Sequence, residues 1–217
     1  MQDFIYVTGI ILKQTPVGEY DRLICLLTRD RGKISAFVKG CRRSGSRLAG
    51  AANPFSFGVF KLYEGKTSYT VAEADIRNYF EELRRDYVAA YYGMYFAEIA
   101  DYYTRENNDE REMMKLLYQS LRALSAASIP NPLVRYIFEI KSIVVNGEFP
   151  GIPADWQLLE STVYAVNFIV DSPVEKLFTF AVSESVLAEL ERLAHFYCSK
   201  VLEREFKSLE ILKTLVT

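Results

Sequence analysis

Seven cations fall within nineteen residues between Arg29 and Arg47: Arg29, Arg31, Lys33, Lys39, Arg42, Arg43 and Arg47, opposed only by Asp30. So dense a run needs either a polyanion or abundant water. On a strand over residues 33–39, Ile34, Ala36 and Val38 alternate toward one face and leave Lys33, Ser35, Phe37 and Lys39 on the other. A phenyl ring between ammonium groups suits single-stranded nucleic acid, whose phosphates are tracked by cations and whose bases stack on aromatic faces. The loop that follows, Lys39-Gly40-Cys41-Arg42-Arg43-Ser44-Gly45-Ser46-Arg47, adds glycine freedom and further charge. A solvated basic loop, beside a Phe covered by another element, is the alternative these residues leave open.

Other chemistry finds less support. Gly40 and Gly45 have the spacing of a phosphate-binding loop, but Ser46 and Arg47 stand where Lys and Ser/Thr would reach the terminal phosphates and magnesium. Nucleotide hydrolysis is not expected. The single histidine, His195, lies in an amphipathic helical segment beside Phe196 and Tyr197, which favours a structural role over general-base work. The pairs Glu81-Glu82 and Asp109-Glu110 fall at helix starts, where the helix dipole accounts for them. Arg135 and Lys141 flank an apolar stripe and are candidates to receive an acidic peptide whose hydrophobic end fills a groove, with ordinary surface cations as the alternative. Tyr91, Tyr92, Tyr95, Phe96, Tyr102 and Tyr103 read mainly as core packing, with Tyr92 and Tyr103 left partly exposed.

These residues need elements to hold them. From Phe4 to Ile76, short apolar runs rich in β-branched and aromatic residues predict strands at 4–12, 21–29, 33–39, 55–63 and 67–76. Asp30-Arg31-Gly32 and Glu64-Gly65-Lys66 turn hairpins, and five strands in so short a span suit a small closed barrel. After Phe80 the period becomes helical. Leu83, Tyr87, Tyr91, Tyr95, Ile99 and Tyr102 share one face of a long helix, and Met113, Leu116, Leu117, Leu121 and Leu124 form the stripe of a second from about Asp109. A third has Asn131 to cap it, Pro132 at its first position, Leu133, Ile137, Ile140 and Val144 inward, and Asn146-Gly147 to stop it. Residues 148–182 read as irregular, with strand-like runs at Val163–Val170 and Leu177–Val182. Helices from Ser183, with Leu187, Leu190, Ala194, Tyr197 and Val201 inward, and over Leu209–Leu215 complete the chain.

The 217 residues are 50% hydrophobic and 25% charged, enough for a packed core and too short for a polymerase or helicase assembly. A formal net charge of −2 excludes a uniformly basic coat, yet residues 1–80 hold 12 basic and 7 acidic side chains while the remainder holds 14 and 21. The electropositive part is the barrel. Met1-Gln2-Asp3 has no cationic leader before an apolar run, so a secretory signal is not expected, and no run approaches the ~18 apolar residues of a membrane span. Cys25, Cys41 and Cys198 are too widely spaced for a disulfide framework or a metal knuckle and suit a reducing cytosol.

Five blocks are specific. Thr8-Gly-Ile-Ile-Leu-Lys13, Gly18-Glu-Tyr-Asp-Arg-Leu23, Leu27-Thr-Arg-Asp-Arg-Gly-Lys33, Val38-Lys-Gly-Cys-Arg-Arg43 and Ser46-Arg-Leu-Ala-Gly50, followed by Asn53-Pro-Phe55, resemble the RecO family of bacterial DNA repair proteins. Phe138-Glu-Ile-Lys141 and Lys207-Ser-Leu-Glu-Ile-Leu212 are similar more weakly. The resemblance implies an α+β chain, with a five-stranded OB-fold β-barrel for DNA binding over residues 1–80 and a helical domain over 81–217. It further implies a cytoplasmic, nucleoid-associated mediator that is not an enzyme and needs no cofactor. Such a mediator binds single- and double-stranded DNA and anneals complementary strands. With RecR it helps load RecA onto DNA covered by single-strand-binding protein, whose acidic C-terminal tail it recognises. The matching positions for DNA contact are Lys39, Arg42, Arg43 and Arg47, with Arg31, Lys33 and Phe37 at the hairpin and strand. An adaptor that binds only proteins through its helical part is the alternative. Many family members carry a four-cysteine zinc module after the third helix. Here Glu148-Phe-Pro-Gly-Ile-Pro-Ala-Asp-Trp156 has no cysteine, so the expectation is a metal-free irregular or β insert, about residues 148–182, held by Trp156, Tyr164, Phe168 and Phe178.

Overall fold

The computed structural model describes residues 4–66 and 68–215. Five antiparallel or parallel strands come first: β1 (Phe4–Val17), β2 (Asp21–Thr28), β3 (Gly32–Val38), β4 (Phe57–Glu64) and β5 (Tyr69–Asn78). They close into a barrel in the order β1-β2-β3-β5-β4, with the short β3–β5 seam parallel (Ala36 opposite Tyr69, Phe37 opposite Thr70) and the other seams antiparallel. That connectivity is the OB-fold. Alternation produces it directly: Ile34, Ala36 and Val38 on β3 point inward as their spacing requires, and meet Val7, Ile11, Ile24, Leu26, Phe60, Leu62 and Val71. Each fully buried Ile or Leu contributes about 1.5–3 kcal/mol relative to an exposed one.

β1 runs five residues beyond the expected end, because it is bent by a bulge rather than stopped. Ile11 faces Leu26 and Lys13 faces Cys25, so Leu12 is an extra residue in the ladder. Ile5, Val7 and Ile11 face the interior, and unbroken alternation would send residue 13 there too. The bulge shifts the phase by one and turns Lys13 to the outer surface. Thr67, the first residue of the last expected strand, lies outside the described residues, as do Met1–Asp3.

The expected single helix after Phe80 is two: α1 (Glu81–Arg85) and α2 (Tyr87–Tyr103). Asp86 separates them, its carboxylate accepting from Ala89 N–H at 3.0 Å as an N-cap. The break resets the helical phase. Tyr87 is therefore exposed, and Ala89, Tyr92, Tyr95, Phe96 and Ile99 are buried; Tyr92, expected to be partly exposed, is 5% exposed. The predicted stripe of α3 (Arg111–Ala126) is buried throughout. In α4 (Asn131–Val145) the first turn closes one residue early, with Val134 N–H donating to Pro130 O, so Asn131 is inside the helix and does not cap it. Gly147 at φ +73° ends α4 as expected, with Gly147 and Glu148 N–H donating to Val144 and Ile143.

Val163–Val170 is not a strand. It lies in α5 (Glu160–Asp171), which buries Thr162, Ala165, Val166 and Ile169 at helical spacing. The β-branched content suggested extension, but the positions that need covering recur every three to four residues. A 3-10 turn (Val174–Lys176) follows, and Phe178–Ser183 has no regular structure. Tyr164 is 74% exposed and holds no insert together, whereas Phe168 packs on Phe180 and Trp156 on Phe196. Ser183 caps α6 (Glu184–Val201) through Val186 N–H, and α7 (Lys207–Leu215) ends the described chain.

The chain divides into two compact units. One runs through Arg84 and resumes over Ala97–Met114; the other is Arg85–Phe96 and everything from Lys115. Within the second, α4 packs against α5 and α6, and Phe96 stacks on Phe138 with ring centroids 4.2 Å apart.

Candidate nucleic-acid interface

The connection from β3 to β4 is a chain of turns rather than a free glycine loop. Cys41 and Ala52 belong to the barrel core and Leu48 packs on it. The backbone steps through Arg43 N–H to Gly40 O, Ser46 N–H to Arg43 O and Ala49 N–H to Ser46 O, at 3.1–3.2 Å. Gly40 N–H donates to the Asp21 carboxylate at 2.7 Å and Arg42 N–H to Tyr20 O at 2.9 Å, which ties the connection to the turn between β1 and β2. With the apolar residues turned in, Lys39, Arg42, Arg43 and Arg47 are all exposed.

That tie creates a feature the sequence reading missed. Tyr20 is 41% exposed, and the Arg43 guanidinium lies over its ring, 4.9 Å from the centroid. Arg42 donates to Gly18 O at 3.4 Å. An exposed aromatic face and two guanidinium groups thus share one edge of the barrel, from segments about twenty residues apart. Gly18, which takes φ +57° in the turn, was the only local sign that Tyr20 would be held out from a strand end.

The other expected contacts are placed differently. Phe37 is half-buried on the outer face of β3, opposite Leu23. Arg31 is 3.7 Å from the Glu64 carboxylate and donates to the Tyr69 hydroxyl at 3.4 Å. Lys33 does not join the loop. Its ammonium donates to the Asp101 carboxylate at 2.9 Å and to the Asp101 carbonyl at 2.5 Å, and Lys13 reaches the other carboxylate oxygen at 2.8 Å. Burial opposes ionisation of Asp101, but the hydrogen bonds and charges of Lys13 and Lys33 outweigh it and hold the carboxyl below its ordinary value. Cys25, beside them, is pushed up to about 12 by burial and by the Asp101 charge, so its thiol stays protonated.

In the helical unit, Arg135 donates to Glu139 at 2.8 Å and lies over the rings of Tyr95 and Tyr136. Tyr95 donates to the same Glu139 oxygen at 2.6 Å. Lys141 is 7% exposed and donates to the carbonyls of Val170 and Ser172 at 2.8 and 2.9 Å. It is therefore turned into the unit, where it satisfies the C-terminal end of α5, and is not on a docking surface. A cavity of about 480 Å³ does open on this unit, walled by Pro150, Pro153, Trp156, Phe196 and Tyr197, with Lys200 and the acidic Glu148 and Asp155 at its edge. Arg192 lies over Trp156 and Lys200 over Phe196. His195 is exposed on α6.

Two family models match the chain: recombination protein O N terminal over residues 1–80 and recombination protein O C terminal over residues 84–152. The chain belongs to the RecO family. Among curated RecO proteins, that of Acetivibrio thermocellus is 29% identical over 246 residues, covering 98% of both chains. That of Clostridium perfringens is 26% identical, covering 94% of this chain and 96% of its own. That of Caldicellulosiruptor bescii is 34% identical over 145 residues, or 67% of this chain and 59% of its own. Membership gives the chain a role in DNA repair and recombination within a family of mediators rather than catalysts. Among the described residues, no helix is long and apolar enough to cross a membrane.

Proposed function

We propose that this RecO protein binds single- and double-stranded DNA through the edge of its barrel, with Lys39, Arg42, Arg43 and Arg47 on phosphates and Tyr20 and Phe37 as stacking surfaces. The observation that carries the reading is the convergence of an exposed Tyr20 with Arg42 and Arg43 on a backbone pinned to the barrel core. Cations for the backbone and a ring for the base are the two parts that single-strand binding requires. Bound strands whose bases are unstacked from one another are free to pair, so annealing of complements proceeds without nucleotide or metal and the protein is not a catalyst. In keeping with the family resemblance, the protein acts with RecR to load RecA on DNA covered by single-strand-binding protein. The acidic tail of the latter docks on the helical unit. The cavity beside Trp156 and Phe196, with Lys200 at its edge and Arg192 over the Trp156 ring, supports that role better than the buried Lys141 does.

The test is anisotropy of a labelled oligonucleotide. The double variant Arg42→Glu/Arg43→Glu should bind far more weakly than the parent chain, at a cost in stability under about 0.5 kcal/mol because both positions are exposed. Unchanged affinity in that variant removes the edge from the account and leaves the protein-only adaptor as the better reading.

A further inference from the structure

The outer face of the barrel holds a second cationic feature that the basic loop does not include. Its pieces come from three strands and the last turn of α2. Lys13 and Thr15 on β1, Cys25 on β2, and Lys33 and Ser35 on β3 line a cavity of about 280 Å³ with Asp101 at its wall. Both lysines spend their ammonium groups on the one Asp101 carboxylate, one on each oxygen, at 2.8 and 2.9 Å. Lys13 faces outward only because of the bulge at Leu12, an irregularity that costs regular ladder pairing and re-aims this side chain.

The chemistry of this cluster is that of an anion seat. Two cations converge on a group that presents a pair of anionic oxygens on one centre, and the hydroxyl-bearing Thr15 and Ser35 line the same cavity. A phosphodiester presents the same pair. With Asp101 counted, the cluster keeps one excess positive charge, and Lys13 remains 60% exposed, open to solvent and to a ligand.

Its position ties it to the proposed DNA edge. Strand alternation puts Lys33, Ser35, Phe37 and Lys39 on the same outer face, with Ser35 opposite Cys25 and Phe37 opposite Leu23. Ser35 is four residues from Lys39, about 13 Å along the strand. A nucleic-acid strand leaving Arg42 and Lys39 along this face would pass Phe37 and arrive at the cavity.

We propose that Lys13 and Lys33, with Thr15 and Ser35, form a seat for a phosphodiester of bound DNA, and that Asp101 fills this seat in the free protein as an internal substitute for phosphate. DNA then has to displace the carboxylate, so Asp101 restrains binding along the strand face while the loop edge remains open. This rests on the DNA-binding reading given above and adds a restraint to it.

The experiment is oligonucleotide anisotropy across a range of salt concentrations with the full chain and the variants Asp101→Asn, Lys13→Gln and the two combined. Asp101→Asn should tighten binding and steepen the log–log salt dependence by about 0.7, the value for one more neutralised phosphate on a single strand. A four-fold rise in salt would then cost this variant roughly 2.5-fold more affinity than it costs the parent. Adding Lys13→Gln should cancel both changes. Affinity and slope unchanged in an Asp101→Asn protein with parental circular dichroism overturn the proposal. Should Asp101→Asn fail to fold, Asp101→Ser, which also removes the carboxylate, must tighten binding and steepen the slope in the same way, and an unchanged slope there overturns it equally. Loss of binding in Arg42→Glu/Arg43→Glu, alongside a null result at Asp101 and Lys13, would sink this proposal and leave the DNA-binding reading standing.

Discussion

Single side chains divide into those that meet solvent and those that hold the fold, and charge alone does not separate them. Tyr20 and Lys141 make the contrast. Tyr20, written between Glu19 and Asp21, is an exposed ring stacked under Arg43. Tyr20→Ala should weaken single-strand binding by about 1–3 kcal/mol, the usual worth of one base–aromatic stack, with the melting curve unmoved; titration with a labelled oligonucleotide reads both affinity and its loss. Lys141 looks like a surface cation but satisfies two carbonyls at the end of α5. Lys141→Met keeps the stem and removes the donor, so it should destabilise by about 1–3 kcal/mol in urea while leaving DNA affinity alone. Asp101 gives a pH signature. Its carboxyl is held below its ordinary value of 3.8 in the folded chain, so its contribution to stability is complete above that value and is lost as pH falls through the folded value. Asp101→Asn should therefore lose less stability than the parent between neutral pH and about pH 3, as measured by denaturant midpoints; equal losses would mean the carboxylate is not stabilised by Lys13 and Lys33. The partners of Lys33 and Lys141 could not be read from the chain, because Asp101 and Val170 lie 68 and 29 residues away.

At the scale of elements, local rules carried the barrel and failed where a phase changed. The alternation of Ile34, Ala36 and Val38 was legible because an inward and outward face follow from strand geometry alone. The bulge at Leu12 was not, since Ile10, Ile11 and Leu12 are all apolar and all buried and leave no alternation to interrupt. The same loss of phase at Asp86 moved the buried face of α2 from Tyr91 toward Tyr92. In α5 the β-branched residues outweighed a correct helical spacing. The loop from Lys39 to Arg47 was recognisable as charge, whereas its fixed shape depends on Asp21 and Tyr20 in another turn. Gly32 joins two such levels. It opens β3 at φ +63°, and a Cβ there would lie 2.0 Å from Arg105 O, in the segment that also receives Lys33 N–H and pairs with Gly32 through Glu106. Gly32→Ala should cost at least about 2 kcal/mol, from left-handed strain and displacement of residues 105–108. A thermal melt within a degree of the parent would show that this segment yields freely.

Across the whole molecule the net charge of −2 conceals the division of labour, because excess cations gather in the first eighty residues and excess anions in the remainder. On the proposed reading, nucleic acid would select the cationic part by long-range attraction before any contact forms. The family models follow the same order along the chain, one over residues 1–80 and one over 84–152. The central claim is electrostatic: the barrel edge neutralises phosphates. Binding of the unmodified chain to a short single strand, measured by anisotropy at several monovalent salt concentrations, tests it most directly. Engagement of Lys39, Arg42, Arg43 and Arg47 predicts a log–log slope of about −3. Binding that is absent at low salt, or whose affinity does not change as salt rises, would contradict it.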